Sequence, residues 1–598
     1  MTVWSARSMN GKQKRSYRDV FGYLLIGLSV IMLGKSLMLC FSNDIWYDEL
    51  FTVGMIEHSY GELIAFTARD VHPPLYYCIV KVVVELCKLM APSADTVIIA
   101  KTVSVLPYFI LLLYSVTFIR KRFGIFTGGL FLFCVISMPQ LSAYTVEVRM
   151  YGWALLFVTA AFLHAYGVIT DITETKEKNA INPTADGSPH KLIANCKTRR
   201  HAIALVFYGL AAAYTQYFAC VAVIMIYLCV LVVYLIHDRQ KIKQWLVCAA
   251  ISITGYAPWL YTLYTQITAV GENYWILPLS WRTLGGCVKF LMKPAFANNV
   301  LSIILAIVLF GVCVLIFMWN VAKLCHNRRE KDNRTDNISD ANVDIGKHIS
   351  DYNKYRIGQW NDFGFVAAGV GVLAGLVLFG FAASILFRPI FVYRYMIPAL
   401  GCFWLSFAVG LGIIAENTRQ EAGRPSAVFL LVKRKMIGRT IHADKIYKGI
   451  VIAVSALVLL IGLRDYRAFM GEEEYKILLM KDTTAALKEL GSEDILIFNF
   501  DQVQMVTGYY LNNDSFLWYG QPETLIQDIC GHKNTLNEDV DMIKEWLIQD
   551  RKVRFIGSFN SREDIVKELR AAGITVDETG SYLLERYWFN VYELRMGK

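Results

Sequence analysis

Long apolar runs recur along this chain, most close to the ~20 residues needed to cross a bilayer, and short basic clusters separate them. About eleven can be marked: 20–41, 96–119, 124–140, 150–170, 202–216, 218–236, 245–262, 299–321, 363–387, 393–415 and 447–463. No soluble fold can hide that much apolar surface: the 598 residues are 55% hydrophobic and only 18% charged, with a mean hydropathy of +0.39. A polytopic α-helical membrane protein is therefore expected.

The basic clusters orient the chain. "KQKRSYR", "RKRF", "KTRRH", "HDRQKIK", "KLCHNRREK" and "KRKMIGR" all fall on one side if the N-terminus is cytoplasmic. The formal charge of +10 resides largely in these loops, which does not point to nucleic acid. Segments 42–95, 141–149, 263–298 and the tail after about 464 are then expected outside. Lys12, Lys14, Arg15 and Arg18 precede the first apolar run, which lacks an A-x-A-like cleavage site and reads as a retained anchor. Of the thirteen Cys, most lie inside apolar runs as small hydrophobes, and no CxxC or Cys/His spacing suggests zinc.

Between 75 and 90 the run "LYYCIVKVVVELCKLM" carries Lys81, Glu85 and Lys88 on one helical face, so an amphipathic helix lying in the interface is expected rather than a span. From about 475 the pattern changes. "EYKILLMKDTTAALKELG" reads as a helix ended by Gly491, and "DILIFNF" as a buried strand. "MIKEWLIQD", "VRFIGSF" and "REDIVKELRAAG" continue the helix–strand alternation of a small α/β domain. The expected division is a transmembrane part, 1–463, and an outward α/β domain, 464–598. Polar stretches 171–200 and 326–361 read as solvated loops.

Four outward stretches carry candidate chemistry. "WYDELF" places Asp48 and Glu49 side by side among aromatics; on a helix they point about 100° apart, so they cannot share one narrow face. Either they solvate a helix end, or an apolar setting tunes one of them as a base. In "DVHPPLYY" the Pro73–Pro74 turn presents Asp70 and His72, or merely seats the following helix. "SAYTVEVRMYGW" sets Glu147 and Arg149 beside Tyr151, either as a self-satisfying ion pair or as functional charges at the membrane edge. "LFRPIFVYRYMIPAL" offers Arg388, Arg394 and Tyr395, either snorkelling side chains or forks for phosphate oxygens. "DVD" at 539–541 leads into a helix, where acids suit the dipole better than a metal.

With these pieces the sequence resembles the GT-C superfamily of membrane glycosyltransferases, in particular bacterial relatives of protein O-mannosyltransferases and of the aminoarabinose and lipid A-core transferases. The resemblance rests on Asp48-Glu49, "DVHPPLYY" at 70–77, "EVRMY" at 147–151, "AYTQYF" at 213–218, "APW" at 257–259 and "RYMIP" at 394–398. It implies a GT-C-like fold and a sugar donor carried on a polyprenyl phosphate. It also implies transfer with inversion to an acceptor hydroxyl of a protein, glycolipid or wall polymer. Asp48 takes the position of the general base, with Glu49 orienting it or touching the acceptor. Arg394, then Arg149, and more loosely Arg388, take the place of cations at the leaving phosphate, with Tyr395 beside them; Asp70, His72, Glu147 and Tyr151 shape the site. The sequence departs from the pattern at Gln216, where many relatives carry His. Some relatives bind a divalent metal, but no convincing ligand set is present, and no other cofactor is indicated. The expected location is a bacterial plasma membrane. A transporter or flippase is the chief alternative, but it should show related halves and charges at mid-membrane depth. A sensor using the outward domain is another.

Overall fold

In the computed structural model, residues 17–42, 44–181, 189–269, 276, 278–335, 346–417, 443–489, 494–511, 517–519, 525–530, 539–584 and 587–597 are described. The chain is a polytopic helical membrane protein with a small C-terminal sheet domain. Among the described residues nine helices are long and apolar enough to cross a membrane: Tyr17–Leu39, Thr96–Phe123, Tyr151–Thr170, Tyr217–Ile236, Arg239–Thr268, Asn299–Lys323, Asp362–Leu386, Tyr393–Glu416 and Ile446–Lys488. The other two expected runs are also helical. One lies in Pro189–Ala213; the other is Ile125–Ser137, whose 13 residues reach only roughly 20 Å at 1.5 Å per residue.

Helix α1 (Tyr17–Leu39) buries Gly22, Leu25, Ser29, Met32, Leu33 and Ser36 along one stripe. It crosses helix Ile125–Ser137 at backbone distance: a Cβ on Gly129 would stand 2.3 Å from the Gly22 carbonyl oxygen. Small residues allow such approach between helices in lipid, where no water drives them together.

Between α1 and the second span lie three short helices, α2 (Tyr47–Glu57), α3 (Tyr60–Arg69) and α4 (Leu75–Met90). Ser59 caps α3, its hydroxyl accepting from the Glu62 N–H at 3.3 Å while Glu62 reaches back to the Ser59 N–H. Helix α4 departs from expectation at one residue. Lys81 is buried rather than solvent-facing, and its Nζ donates to the Ile56 carbonyl at 2.9 Å as well as pairing with Glu85 at 3.0 Å. The last carbonyls of α2 lack intrahelical partners, and Lys81 supplies one. Glu85 and Lys88 stay exposed as expected, together with Leu86, Leu89 and Met90.

Helix Ala443–Lys488 runs 46 residues, roughly 70 Å, far more than the ~30 Å of a hydrocarbon core. It passes without a break through 463–464, where a domain boundary is expected from composition; Gly491, the expected terminator, lies outside the described residues. Beyond it stands a five-stranded sheet in the order β2-β1-β3-β5-β4, with β1 Ile495–Phe498, β2 Leu517–Trp518, β3 Val553–Gly557, β4 Ile574–Leu584 and β5 Tyr587–Met596. Strand β1 is parallel to both neighbours, with Ile495 opposite Val553, and the β4–β5 hairpin closes the other edge antiparallel. Helices Asp501–Leu511, Leu525–Cys530, Asp539–Ile548 and Ser561–Ala571 complete the domain. Its core is not its own alone. Ile45, Leu50 and Val53, from α2 and the residues before it, are buried in one apolar cluster with Phe498, Val503 and Val506.

Candidate active site

Helix α2 starts where Trp46 is extended (φ −109°, ψ 172°), and Glu49 in its first turn accepts the Trp46 N–H at 3.3 Å. Two acids in a first turn also suit the helix dipole. As their spacing requires, Asp48 and Glu49 face different compartments.

Asp48 is only partly buried. Its Oδ2 lies 3.3 Å from Nη1 of Arg394, with the two side chains 21% and 25% exposed. Arg149 approaches the same residue from the other side, Nη1 donating to the Asp48 backbone oxygen at 3.0 Å. Burial works against the Arg149 cation, but Asp48, Tyr77, Tyr151 and Asp70 around it raise its pKa and hold it charged. Arg394 sits on the 3-10 turn Tyr393–Met396, its guanidinium carbon 6.0 Å from the Tyr151 ring centre, at the outer limit of a cation–π contact. Next to it Tyr395 is buried and stacks on Phe218, ring centres 4.8 Å apart. The Tyr151 hydroxyl is buried with no hydrogen-bond partner among the described residues.

Glu49 is fully enclosed. Its Oε1 accepts the Val148 N–H at 2.9 Å, and Thr52 Oγ1 donates to the Val148 carbonyl at 3.1 Å. One residue of the 143–150 segment thus gives both backbone groups to α2, and Arg149 follows directly. Glu49 therefore staples Arg149 against Asp48. Burial pushes its carboxyl up to about 8, against the pull of Lys101 and of the Val148 N–H. Behind it lies a cavity of about 40 Å³, lined by Asp44, Glu49, Lys101, Glu147, Glu473 and Lys476, with room for a water or two. Lys101 Nζ pairs with Asp44 Oδ1 at 2.6 Å there. Glu147 thus faces this cavity while Arg149 faces Asp48, so the two do not form the ion pair that their spacing allows.

The Pro-Pro loop presents Asp70 and His72 as a pair, Oδ2 to Nδ1 2.9 Å. Burial pushes the Asp70 carboxyl up, but the His72 charge and hydrogen bond, the Val71 N–H and Arg149 outweigh it and hold the group below its ordinary value. The other motifs hold this loop in place. Leu75 N–H donates to the Tyr214 carbonyl at 3.0 Å, and Trp259 Nε1 to the Tyr217 hydroxyl at 3.0 Å. Tyr217 donates to Gln266, whose Nε2 reaches the Thr67 carbonyl at 2.8 Å. "AYTQYF", "APW" and "DVHPPLYY" therefore form one bonded assembly. Within it Gln216 is buried, and neither amide atom has a partner among the described residues.

Arg388 has another partner. It donates to the Ile267 carbonyl at the end of helix Ile242–Ala269. Among the described residues no group of three or more His, Cys, Asp or Glu could hold a metal ion. Asp48 is paired with Arg394 and Asp70 with His72. Sequence reasoning missed Lys101. A lone Lys inside the apolar run 96–119 demands a partner, and Asp44 was the available one.

No family model matches the chain, and no curated protein matches it. Solved structures do. ArnT from Cupriavidus metallidurans in the apo state superposes with a TM-score of 0.50 at 11% identity, covering 97% of this chain and 98% of that one. The chain has the ArnT fold. ArnT bound to undecaprenyl phosphate matches at TM-score 0.49 and 12% identity, over 96% of this chain and 97% of that one. The archaeal oligosaccharyltransferase AglB from Archaeoglobus fulgidus, in complex with an inhibitory peptide and a dolichol-phosphate, matches at 0.37 and 10%, over 95% and 74%. The ArnT fold agrees with the GT-C architecture expected from the motifs.

Proposed function

We propose that this protein is an integral-membrane glycosyltransferase that moves a sugar from a polyprenyl-phosphate carrier to an acceptor hydroxyl, on the face that bears α2 and the C-terminal domain. A fold does not fix a function, so the reading rests on the site. The observation that carries it is one partly open carboxylate, Asp48, with two guanidinium groups brought against the same residue.

Asp48 takes the proton of the acceptor hydroxyl as its oxygen attacks the anomeric carbon. The bond from that carbon to the phosphate oxygen breaks, and the configuration inverts. The departing phosphodiester becomes a monoester and gains charge, which Arg394 and Arg149 stabilise. Preorganised cations in a site shielded from water act there at full strength. Glu49, having both oxygens on backbone N–H groups, serves as a positioning residue. Asp70 and His72, paired with each other, and Tyr151, beside Arg394, shape the site. On this reading the face is extracytoplasmic and the N-terminus cytoplasmic. Acceptors of the expected classes, protein, glycolipid or wall polymer, share the hydroxyl that the mechanism requires.

ArnT has been solved with undecaprenyl phosphate, and that lipid is a suitable probe. The full chain in nanodiscs should bind it saturably by native mass spectrometry. Changing Arg149 and Arg394 together to Ala should weaken binding at least tenfold. Absence of binding by the unaltered chain would reject a lipid-phosphate donor.

A further inference from the structure

The helix that carries Asp48 has only 11 residues, and isolated helices shorter than about 12–15 residues are marginal in water. Its order must come from its partners, and a large share of these belong to the C-terminal domain. Just ahead of the helix, the Tyr510 hydroxyl accepts the Ile45 N–H at 2.6 Å and donates to the Ile45 carbonyl at 3.0 Å. One phenol thus satisfies both backbone groups of a wholly buried residue, three positions before Asp48. At the other end of the same domain helix, Asp501 Oδ2 accepts from the Tyr47 hydroxyl at 3.1 Å, directly beside Asp48 in sequence. Further along α2 the contact is at backbone distance: a Cβ on Gly54 would stand 2.9 Å from Ile529 Cγ2 and 3.0 Å from Cys530 Sγ. The His58 ring then meets the Ile529 carbonyl at 2.7 Å.

We propose that the C-terminal domain is part of the catalytic apparatus, with Tyr510 as a positioning residue that sets where Asp48 stands. This rests on the glycosyltransferase reading for its consequence, though not for its geometry. A detachable lid or an independent sensor would close over the site from outside. Here the domain instead takes the apolar side of α2 into its own core, through Ile45, Leu50 and Val53. The groups proposed to meet the phosphate, Arg149 and Arg394, sit on the membrane part. Loss of the clamp should therefore disturb the base more than donor capture.

The test uses the full chain with Tyr510→Phe, which keeps the ring and removes the hydroxyl. Two buried backbone groups are left unpaired, so amides 45–57 should exchange with deuterium about tenfold faster or more, with the membrane helices unchanged. In a transfer assay kcat should fall by about tenfold while KM for the lipid-linked donor moves less than twofold. Asp501→Ala, which removes the acceptor of the Tyr47 hydroxyl, should loosen the same amides. Unchanged exchange at 45–57, or equal acceleration throughout the molecule, would overturn the proposal. If Tyr510→Phe frees these amides but the unaltered chain transfers no sugar, the clamp stands and the glycosyltransferase reading falls.

Discussion

Arg394 Nη1 stands 3.3 Å from Asp48 Oδ2, so the cation assigned to the donor phosphate is engaged by the carboxylate assigned as base. On the proposed reading, docking of the lipid phosphate gives Arg394 a second anionic partner and draws it off Asp48, which then faces the acceptor.

Arg394→Ala should lower kcat/KM for a lipid-phosphate donor by about 10²–10³-fold, about 3–4 kcal/mol. Arg394→Lys keeps the charge but loses the planar fork, and should retain activity within about tenfold. Steady-state kinetics with varied donor decide it. Equal effects of the two changes would mean that Arg394 only snorkels.

Glu49→Ala should destabilise the protein, because it leaves the Val148 N–H buried without an acceptor, at about 1–3 kcal/mol. Thermal unfolding in detergent reads this directly. The pH dependence has a fixed sign. The Glu49 carboxyl rises from its ordinary 4.5 to about 8 in the folded chain. Its contribution is thus fully present below pH 4.5 and is lost as pH rises to about 8. The difference in Tm between the unaltered protein and Glu49→Gln should shrink across that window and flatten above it.

Arg388→Ala should leave transfer within about twofold, the size expected of a substitution outside core and site. Its guanidinium serves the Ile267 carbonyl. A hundredfold loss in the same donor assay would place Arg388 at the phosphate after all.

The sequence made some of this legible and not the rest, for physical reasons. Apolar runs declare themselves because a span must be apolar along its whole length, and a helix occupies each of the eleven expected. The motif stretches declare themselves because charges and Pro-Pro turns are costly at a membrane edge. The difference between Asp48 and Glu49 is legible only through the family resemblance, not from the residues themselves. Adjacent acids look alike until Val148, a hundred residues away, gives its N–H to one of them. The continuity of helix Ala443–Lys488 was hidden because its composition changes from apolar to charged while its backbone does not. Strands β4 and β5 are not legible in the sequence. They form a hairpin with a shift between Glu578 and Gly580, which breaks the alternation that marks a half-buried strand. The bonds from Tyr510 to Ile45 span 465 positions, and no local pattern announces such a pairing.

The account turns on Asp48 as the base. The most direct measurement is transfer from a polyprenyl-phosphate-linked sugar by Asp48→Asn in membranes, alongside lipid-phosphate binding and thermal stability of the same preparation. Asparagine keeps the shape and can still meet Arg394, so folding and donor binding should survive while transfer falls at least about a hundredfold. Near-normal transfer by a folded, donor-binding Asp48→Asn protein would contradict the account.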